Sequence, residues 1–392
     1  MALCFAGAGS ARAGTGLPGR CKREGILCIV RFMPVRMKDI ARELGLSVVT
    51  VSKVLRNHPD IAERTRERVL QRVKELDYRP NVLARSLVTG RSYLIGLVVP
   101  DLMHPFFAEI AKALSAAVRG EGYSLIISAS EEDSELEARE IETLLARRLD
   151  ALVIASSGLD ARTLDQIDRM EQPYILIDRD CPGVTANFVG MDDEAAGRLA
   201  TQHLIDQGCR RIAHIRGRNN STGRRRFEGY RQMLAANGLP YSEDLVVVGS
   251  TVEVESQSHG AEAMRRLLRE RLRPDAVFCF NDPLAIGAMK VILEAGLRIP
   301  EDIAIIGCGN LHYDDALSVP LSSIDQKSQM VGEKTAAILL NIFASKARPE
   351  PVRIVLDPAL VARTSSLRKA EPAAPTSVRR GKEKHTVQGR SL

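Results

Sequence analysis

The amino-terminal part of the chain carries the sequence MKDIARELGLSVVTVSKVL between Met37 and Leu55. Its apolar residues recur at helical spacing on both sides of Gly45, which predicts two short helices joined by a tight turn. Glycine tolerates the left-handed backbone that such a turn needs, and Ala41 is small enough for the second helix to cross close to the first. The apolar residues that share one helical face are Ile40, Ala41 and Leu44, then Val48, Val51, Val54 and Leu55, and, in a third short helix, Val69, Leu70, Val73 and Leu76.

The second predicted helix has the composition of a DNA-reading helix. Ser47 is placed to cap it. Thr50, Ser52 and Lys53 face away from the core, and Val48 and Val49 stand at its start. A recognition helix reads base edges in the major groove with its amino-terminal residues, so this pattern favours a helix-turn-helix. The alternative is an ordinary three-helix bundle whose lysines and arginines form a solvated face.

Composition and charge narrow the class of protein. The chain has 392 residues, of which 45% are hydrophobic and 27% charged, as expected for a globular protein of two or three domains. It contains no apolar run of about 18 residues, so no membrane-spanning helix is expected. The net charge of +6 is uneven, because residues 35–90 carry +5 whereas residues 91–367 carry −8. A basic module on an acidic body indicates that the module meets a polyanion.

The cysteines and the two ends of the chain point to a reduced, cytoplasmic protein. Seven scattered cysteines without a CxxC motif fit neither a disulfide framework nor structural zinc, and no cofactor is expected. Residues 1–34 lack the basic start of a secretory signal. We expect them to form a disordered extension, and residues 368–392 to form a disordered basic tail.

From Tyr93 onward, short apolar runs of strand length alternate with helical stretches, and this rhythm restarts after about residue 190. Buried strands that alternate with amphipathic helices are typical of doubly wound parallel sheets. We therefore predict two similar α/β lobes. The predicted strands are Leu94–Val99, Ser124–Ser128, Ala151–Ala155, Tyr174–Ile177, Arg211–Ile215, Leu245–Val248, Ala276–Phe280 and Ile303–Ile306.

The motif at Met37–Leu55 is followed by further ordered motifs, including Tyr78-Arg-Pro-Asn81, Ile95-Gly-Leu-Val-Val-Pro-Asp101 and Pro105-Phe-Phe107. Together they resemble the lactose-repressor/galactose-repressor (LacI/GalR) family of bacterial transcription regulators, from about Val35 to Arg363. The resemblance implies an all-α DNA-binding domain and a two-lobed α/β body similar to periplasmic sugar-binding proteins. It divides the chain into a DNA-binding domain (35–80), a hinge helix and linker (81–92) and a body (93–367), with lobe one at about 93–190 and 325–350 and lobe two at about 191–324 and 351–367.

The resemblance also implies which residues meet DNA. In the family the hinge helix folds on operator DNA, and Leu87 occupies the position that wedges between base steps in the minor groove; simple linker packing is the alternative for Leu87. Lys53 departs from the arginine of many members, which replaces a forked contact with a single ammonium. The implied DNA-binding residues are Lys38, Ser47, Val48, Val49, Thr50, Ser52, Lys53, Asn57, Tyr78, Asn81, Ala84, Arg85 and Leu87.

An effector site is implied between the two lobes, at the carboxyl ends of the strands. Aromatic faces and planar hydrogen-bonding groups suit a polyhydroxylated molecule such as a sugar or a sugar derivative. The alternatives are that Phe106 and Phe107 are core residues, that Asp178 caps a helix, and that Arg224, Arg225 and Arg226 form a solvated charge run. The implied effector-binding residues are Asp101, His104, Phe106, Phe107, Asp178, Arg226, Asn281 and Asp282.

One departure concerns this site. Where the family commonly has an aromatic residue followed by a sugar-gripping aspartate, this chain has Cys308 and Gly309. Two explanations are open. Either Asn281, Asp282 and Asn310 take over, or the effector is not an ordinary pyranose.

The sequence therefore predicts a cytoplasmic, homodimeric repressor that binds a palindromic operator and responds to a small-molecule effector, with no membrane contact. Two other classes remain as alternatives. One is a solute-binding protein of the transport type that uses the body alone. The other is an enzyme on a nucleotide-binding fold, although the chain has no Walker loop, no HExxH motif, no GxSxG motif and no identifiable catalytic trio.

Overall fold

The computed structural model describes residues 35–55, 57–78, 86, 89–158, 161–181, 183–249 and 253–368. The chain forms two compact units, Met1–Asn81 and Val82–Leu392. Residues 1–34 and 369–392, for which disorder is predicted, lie outside the described residues. So do four of the residues expected at DNA, which are Asn81, Ala84, Arg85 and Leu87.

The first unit contains the three predicted helices, α1 (Met37–Leu44), α2 (Val48–Leu55) and α3 (Glu63–Glu75). Gly45 ends α1 with φ +64°, the left-handed conformation expected of it. The hydroxyl of Ser47 accepts a hydrogen bond from the Thr50 backbone N–H at 3.0 Å, so Ser47 caps α2 as predicted. The core of this unit is built from Ile40, Ala41, Val51, Val54, Val69 and Tyr78.

The predicted apolar faces of α2 and α3 were too wide. Val48 is 45% exposed and Leu70 is 46% exposed, whereas Val51, Val54 and Val69 are buried. Since successive residues of a helix are about 100° apart, only one narrow stripe of each short helix can face a core this small. The apolar side chains outside this stripe are left on the surface.

The second unit contains two six-stranded sheets. Sheet one has the strand order β11-β5-β4-β3-β1-β2, and sheet two has the order β12-β10-β9-β8-β6-β7. Within the described residues every strand pairing is parallel except that of β10 with β12. The strands are β1 (Leu94–Val99), β2 (Ser124–Ala129), β3 (Ala151–Ile154), β4 (Tyr174–Ile177), β5 (Asn187–Met191), β6 (Ile212–Arg216), β7 (Val246–Val248), β8 (Ala276–Cys279), β9 (Ala304–Gly309), β10 (Ser322–Asp325), β11 (Arg353–Leu356) and β12 (Ala359–Val361).

Helices cover the sheets, and the predicted two-lobed, doubly wound α/β architecture is confirmed. The helices are α4 (Pro105–Val118), α5 (Ser134–Ala146), α6 (Ala161–Arg169), α7 (Asp193–Asp206), α8 (Ser221–Ala236), α9 (Glu253–Arg269), α10 (Asp282–Glu294) and α11 (Ser328–Ala344). Each lobe has its own hydrophobic core between sheet and helices.

The chain crosses between the lobes three times, from β5 to α7, from β10 to α11 and from β11 to β12. The last crossing corrects the expected lobe boundary, which assigned residues 351–367 to lobe two. Arg353–Leu356 pairs in parallel with Phe188–Met191 and so completes the edge of sheet one. Lobe two therefore resumes only after Leu356.

The predicted start of the basic tail also needs correction. Arg368 is anchored on lobe two: its backbone N–H donates to the Gln207 side chain at 3.0 Å, and its guanidinium donates to the carbonyl oxygens of Pro300 (3.0 Å) and Asp275 (2.6 Å). Three bonds to the body place this arginine in the folded unit.

Glycines bring α7 and α8 unusually close together. A Cβ on Gly197 would lie 2.1 Å from the Arg226 carbonyl oxygen, and a Cβ on Gly229 would lie 2.1 Å from the Glu194 carbonyl oxygen. Only glycine permits this approach of the two backbones. The contact fixes the position of the Arg226 backbone relative to the start of α7.

Two buried carboxyl groups lie next to each other in lobe two. Asp282 accepts hydrogen bonds from the Ser323 hydroxyl at 2.6 Å and from the Leu311 backbone N–H at 3.3 Å. Asp314 lies beside it and is fully buried. Burial, together with the adjacent charge of Asp282, raises the pKa of Asp314 to about 9, so one proton is retained by the pair at neutral pH.

The start of α3 lacks a side-chain cap, because its N-cap residue, Ala62, has no side-chain hydrogen-bond acceptor. Replacing Ala62 by serine supplies the missing acceptor, and we expect a gain of about 1 kcal/mol in the stability of the first unit. The gain in stability is measured by hydrogen exchange of the α3 amides. The matched control, Ala62→Val, has no capping oxygen. Equal protection of α3 in the two variants would contradict the assignment.

We expect Asp314→Asn to stabilise the protein more at pH 8 than at pH 5. The folded protein holds the Asp314 proton more tightly than the unfolded chain does, so this carboxyl weakens the fold by up to about 1.4 kcal/mol for each pH unit between roughly pH 4 and pH 9. Asparagine removes the ionisable group. The measurement is the melting temperature of the full chain at both pH values, with Asp315→Asn, an exposed neighbour, as the control. A gain that is independent of pH would refute this account.

Candidate DNA-reading surface and effector cleft

The amino-terminal end of α2 presents an apolar, exposed pair of side chains. Val48 is 45% exposed and Val49 is 63% exposed, and Ser47 beside them is exposed as well. The Ser47 hydroxyl is already engaged by Thr50, whose own hydroxyl lies 2.8 Å away. The surface that this helix offers to a partner therefore consists mainly of the two valines, with a polar rim.

Lys53 lies further along the same helix and forms an ion pair. Its Nζ is 2.6 Å from the Asp60 carboxylate, which also lies against His58. The hydrogen bond from Lys53 lowers the pKa of Asp60. To reach a base or a phosphate, the Lys53 ammonium has to exchange this partner for the new one.

The other residues expected at DNA differ in accessibility. Lys38 is exposed and Ser52 is half-buried. Asn57 is exposed and accepts a hydrogen bond from Arg66. Tyr78 is only 9% exposed and belongs to the core of the first unit, which leaves little of its side chain for a nucleic acid.

Six of the eight expected effector residues meet in one place between the lobes. They line a narrow cavity of about 30 Å³, together with three residues that the sequence did not single out. Parallel strands that end at the same edge of each sheet bring them together. The expected residues are His104, Phe106, Phe107, Asp178, Arg226 and Asn281, and the additional ones are Arg179, Phe280 and Gln326.

Arg226 is the most heavily bonded of these side chains and is 2% exposed. Its Nε donates to Asp193 at 2.9 Å, and its two terminal nitrogens donate to the Phe280 carbonyl and to the Gln326 side chain, both at 2.7 Å. The guanidinium also lies 4.5 Å from the centre of the Phe280 ring. The alternative in which Arg226 belongs to a solvated charge run is therefore wrong.

A histidine and an asparagine face each other across the lobes. Asn281 caps α10 with its side-chain oxygen, so its amide nitrogen is the atom that lies 3.4 Å from His104 Nε2. Burial lowers the pKa of His104 to about 4, which leaves the ring neutral at pH 7. His104 Nδ1 also lies 3.3 Å from the Phe106 backbone N–H. A neutral imidazole cannot accept at both nitrogens, so one of these contacts is weak.

Asp178 follows β4 with φ +60° and caps no helix. Burial raises the pKa of its carboxyl to about 6, and the charge of Arg179 opposes this shift. Phe106 and Phe107 line the narrow cavity and are also part of the core of lobe one, so both interpretations of this aromatic pair apply.

Asp101 and Asp282 do not line the narrow cavity. The Asp101 carboxylate accepts the Met103 backbone N–H at 2.8 Å and so shapes the loop before α4. Asp282 is bonded to Ser323 and Leu311 inside lobe two. A Cβ at Gly309 would lie 2.5 Å from an oxygen of Asp282, and Gly309 has φ +153°. Asp282 thus occupies the space that a side chain at position 309 would need.

Asn310 is likewise committed elsewhere, because its side-chain oxygen accepts from Arg363 at 2.7 Å. The first explanation for Cys308 and Gly309, in which Asn281, Asp282 and Asn310 take over from the missing aspartate, therefore has no geometric support for Asp282 and Asn310. Of the three substitutes considered, Asn281 lines the narrow cavity.

A second and larger cavity, of about 530 Å³, also lies between the lobes; we call it the arginine cavity. Its lining includes Glu132, Arg179 and Asp180 from lobe one and Arg218, Asn220 and Arg224 from lobe two. Some of them could be inferred weakly from the sequence, because Arg179 and Asp180 lie shortly after β4. Gln326 could not be found in this way, since it follows β10, a strand that was not predicted.

The described residues contain no group of three or more histidines, cysteines, aspartates and glutamates arranged to hold a metal ion. Over the same residues, no helix has the length and apolar character needed to span a bilayer. The four described cysteines, Cys181, Cys209, Cys279 and Cys308, are all free thiols.

Two family models match the chain, one for each unit. Residues 36–81 match the bacterial regulatory proteins of the lacI family. Residues 92–363 match the periplasmic binding proteins and sugar binding domain of the LacI family. The resemblance inferred from the sequence motifs is thereby confirmed.

The similarity to individual relatives extends over almost the whole length of those proteins. The HTH-type transcriptional repressor PurR of Haemophilus influenzae (strain PittEE) is 34% identical over 335 residues, which are 84% of this chain and 98% of that protein. The ribose operon repressor of Escherichia coli (strain K12) is 32% identical over 332 residues, covering 84% and 99%. A crystal structure of the lac repressor dimer bound to operator and the anti-inducer ONPF matches with a TM-score of 0.74 at 26% identity, covering 86% and 100%.

These relatives are transcription regulators and not enzymes, which confirms the predicted class of regulator over the enzyme alternative. They lend no support to a transport-type protein that uses the body alone. The helix-turn-helix unit and the two-lobed body match the family in the same order along one chain. The chain belongs to the LacI family of bacterial regulatory proteins.

Proposed function

We propose that this protein is a cytoplasmic repressor that binds a palindromic operator as a homodimer and is controlled by a small molecule held between the lobes. One observation carries the proposal: the exposed, Ser47-capped start of α2, with Val48 and Val49 outward, on a helix-turn-helix that matches the family. A recognition helix reads bases from this end. A dimer follows because one such helix reads only half a site.

The names of the relatives support three parts of this proposal, namely repression, the dimer on operator DNA and the small-molecule ligand. PurR and the ribose operon repressor are named as repressors, and the lac repressor structure contains a dimer with operator and an anti-inducer. The transfer to this chain rests on full-length similarity. Because phosphate contacts release counterions, affinity for DNA should fall steeply with salt.

On the DNA side, we assign base contacts to Val48, Val49, Thr50 and Lys53, and contacts to the backbone to Lys38 and Asn57. Tyr78 has a supporting role in the core of the first unit, because it is nearly buried. Hinge contacts by Asn81, Ala84, Arg85 and Leu87 remain a prediction from the sequence, since these residues lie outside the described part of the chain.

On the effector side, we assign ligand contact to His104, Phe106, Asp178, Arg226 and Asn281. A ligand that bridges these groups draws both lobes together, since His104, Phe106 and Asp178 lie on lobe one and Arg226 and Asn281 on lobe two. Effector control then requires that the ligand bind the DNA-competent and incompetent arrangements with different affinity.

Val49→Asp tests the proposal, because it places a negative charge at the exposed start of α2 without touching the core. We expect affinity for enriched genomic DNA fragments to fall at least about thirtyfold, or about 2 kcal/mol, since a carboxylate opposes both bases and phosphates. The affinity is measured by an electrophoretic mobility shift assay at a fixed salt concentration. The fold is checked by circular dichroism.

Leu70→Asp is the matched control, because Leu70 is an exposed apolar residue on α3. We expect its DNA affinity to stay within about fivefold of the wild type. The new carboxylate on α3 can then affect DNA binding only through long-range electrostatic repulsion, which salt screens. Equal losses in the two variants would show that α2 does not read the DNA. Absence of any preferred genomic fragment with the wild type would overturn the function itself.

A further inference from the structure

The arginine cavity has more positive charge than its carboxylates can neutralise. Glu132 is fully engaged by Arg179, whose terminal nitrogens lie 2.6 and 2.9 Å from its two oxygens. Asp180 receives two guanidinium groups on a single oxygen, from Arg225 at 2.8 Å and from Arg353 at 2.7 Å. Both acidic residues of the lining are therefore already paired.

Arg218 and Arg224 line the same cavity and have no carboxylate partner among the residues that the structure describes. The only hydrogen bond that Arg218 makes there is a long one, 3.4 Å, to the backbone oxygen of Glu132. Arg224 is exposed and makes no ion pair within the described chain. Two guanidinium groups thus face the cavity without a counter-charge.

Two further N–H donors of the lining lack an acceptor. Arg179 is 5% exposed, and its Nε has no hydrogen-bond partner in the described structure; the nearest carboxylate oxygen, on Asp178, is 3.6 Å away. Asn220 uses its side-chain oxygen to accept from Gly223 and Thr222, both at 2.9 Å, which leaves its buried amide nitrogen without an acceptor. Buried donors without partners are costly, so a site that holds them is built for an acceptor.

The surplus of donors and positive charge specifies what the cavity can hold. An acceptor-rich, negatively charged group satisfies the guanidinium groups and the amide at once, whereas a neutral hydroxyl leaves the charge uncompensated. The volume of about 530 Å³ is within the range of small-molecule sites. Arg179 lines the narrow cavity as well, so one ligand can reach from the aromatic residues to the arginines.

We propose that the effector of this protein carries an oxyanion, a carboxylate or a phosphate on a polyhydroxylated body, and that Arg179, Arg218, Asn220 and Arg224 bind this group. The proposal rests on the proposed function in one respect, namely that the cleft is the effector site. It is consistent with the second explanation of Cys308 and Gly309, because a further carboxylate in the cleft would repel an anionic ligand.

The first test uses inorganic phosphate as the probe and the melting temperature of the full chain as the readout, against sodium chloride of equal ionic strength. The melting temperature of the wild-type protein is expected to rise with phosphate concentration and to saturate. In Arg218→Gln/Arg224→Gln the phosphate concentration for half of the rise should be at least tenfold higher. In Arg218→Lys/Arg224→Lys, which retains the charge, most of the effect should remain.

Arg266→Gln/Arg271→Gln removes two exposed arginines outside the cavity and is the matched control, which should respond as the wild type does. A wild-type response no larger than that to chloride, or an equal response in the cavity variant, would overturn the proposal. The lysine variant guards against misfolding, because a structural defect would abolish its response too.

A second arm identifies the anion by isothermal titration with D-glucose 6-phosphate, D-glucuronate and D-glucose. Tighter binding of the sugar phosphate indicates a phosphate ligand, and tighter binding of glucuronate indicates a carboxylate. Glucose binding more tightly than both would contradict the proposal. Failure of the proposed repressor function can be distinguished from failure of the oxyanion proposal. The first appears as absence of DNA binding by the wild type, whereas the second appears as absence of the phosphate response.

Discussion

The buried ion pair between Arg226 and Asp193 is the contact on which the effector body depends. Asp193 begins α7 directly after the chain crosses from sheet one, and Gln326 follows β10 at the second crossing. Arg226 is bonded to both, and to the carbonyl of Phe280, which follows β8. One guanidinium therefore fastens two of the three connections between the lobes. Removal of the arginine alone would leave a buried carboxylate uncompensated, which costs about 3–5 kcal/mol.

This constraint links the proposed ligand contact of Arg226 to the geometry of the lobes. Gly197 and Gly229 let α7 and α8 approach until the Arg226 backbone lies against Gly197 of α7, which fixes the base of the arginine side chain. Its remaining N–H groups border the narrow cavity. By contrast, the His104–Asn281 contact between the lobes is weak, because a neutral imidazole cannot satisfy both neighbours. A ligand at the proposed site can replace that contact at little cost, whereas the position of the Arg226 guanidinium is already set by its own hydrogen bonds.

Much of the fold could be predicted from the sequence because its signals are local. Eight apolar runs marked strands, and Gly45 and Ser47 marked the turn and the cap of the helix-turn-helix. The four missed strands carry polar residues, as in Asn187–Met191 and Ser322–Asp325, or lie at the edges, as β11 and β12 do. Gln326 was missed with them. The position of Asp282 shortly after a strand suggests contact with the effector. Its carboxylate instead points into lobe two, where it lies against Gly307 and Gly309.

The most direct measurement of the central claim is hydrogen exchange on Arg226→Met/Asp193→Asn, which removes both charges of the pair and so leaves no unpaired ion. If Arg226 fastens both crossings, amides at the start of α7 and at the start of α11 should exchange at least about tenfold faster together, while those of β1 and β3 keep their protection. Faster exchange at only one crossing, or at neither, would contradict the account.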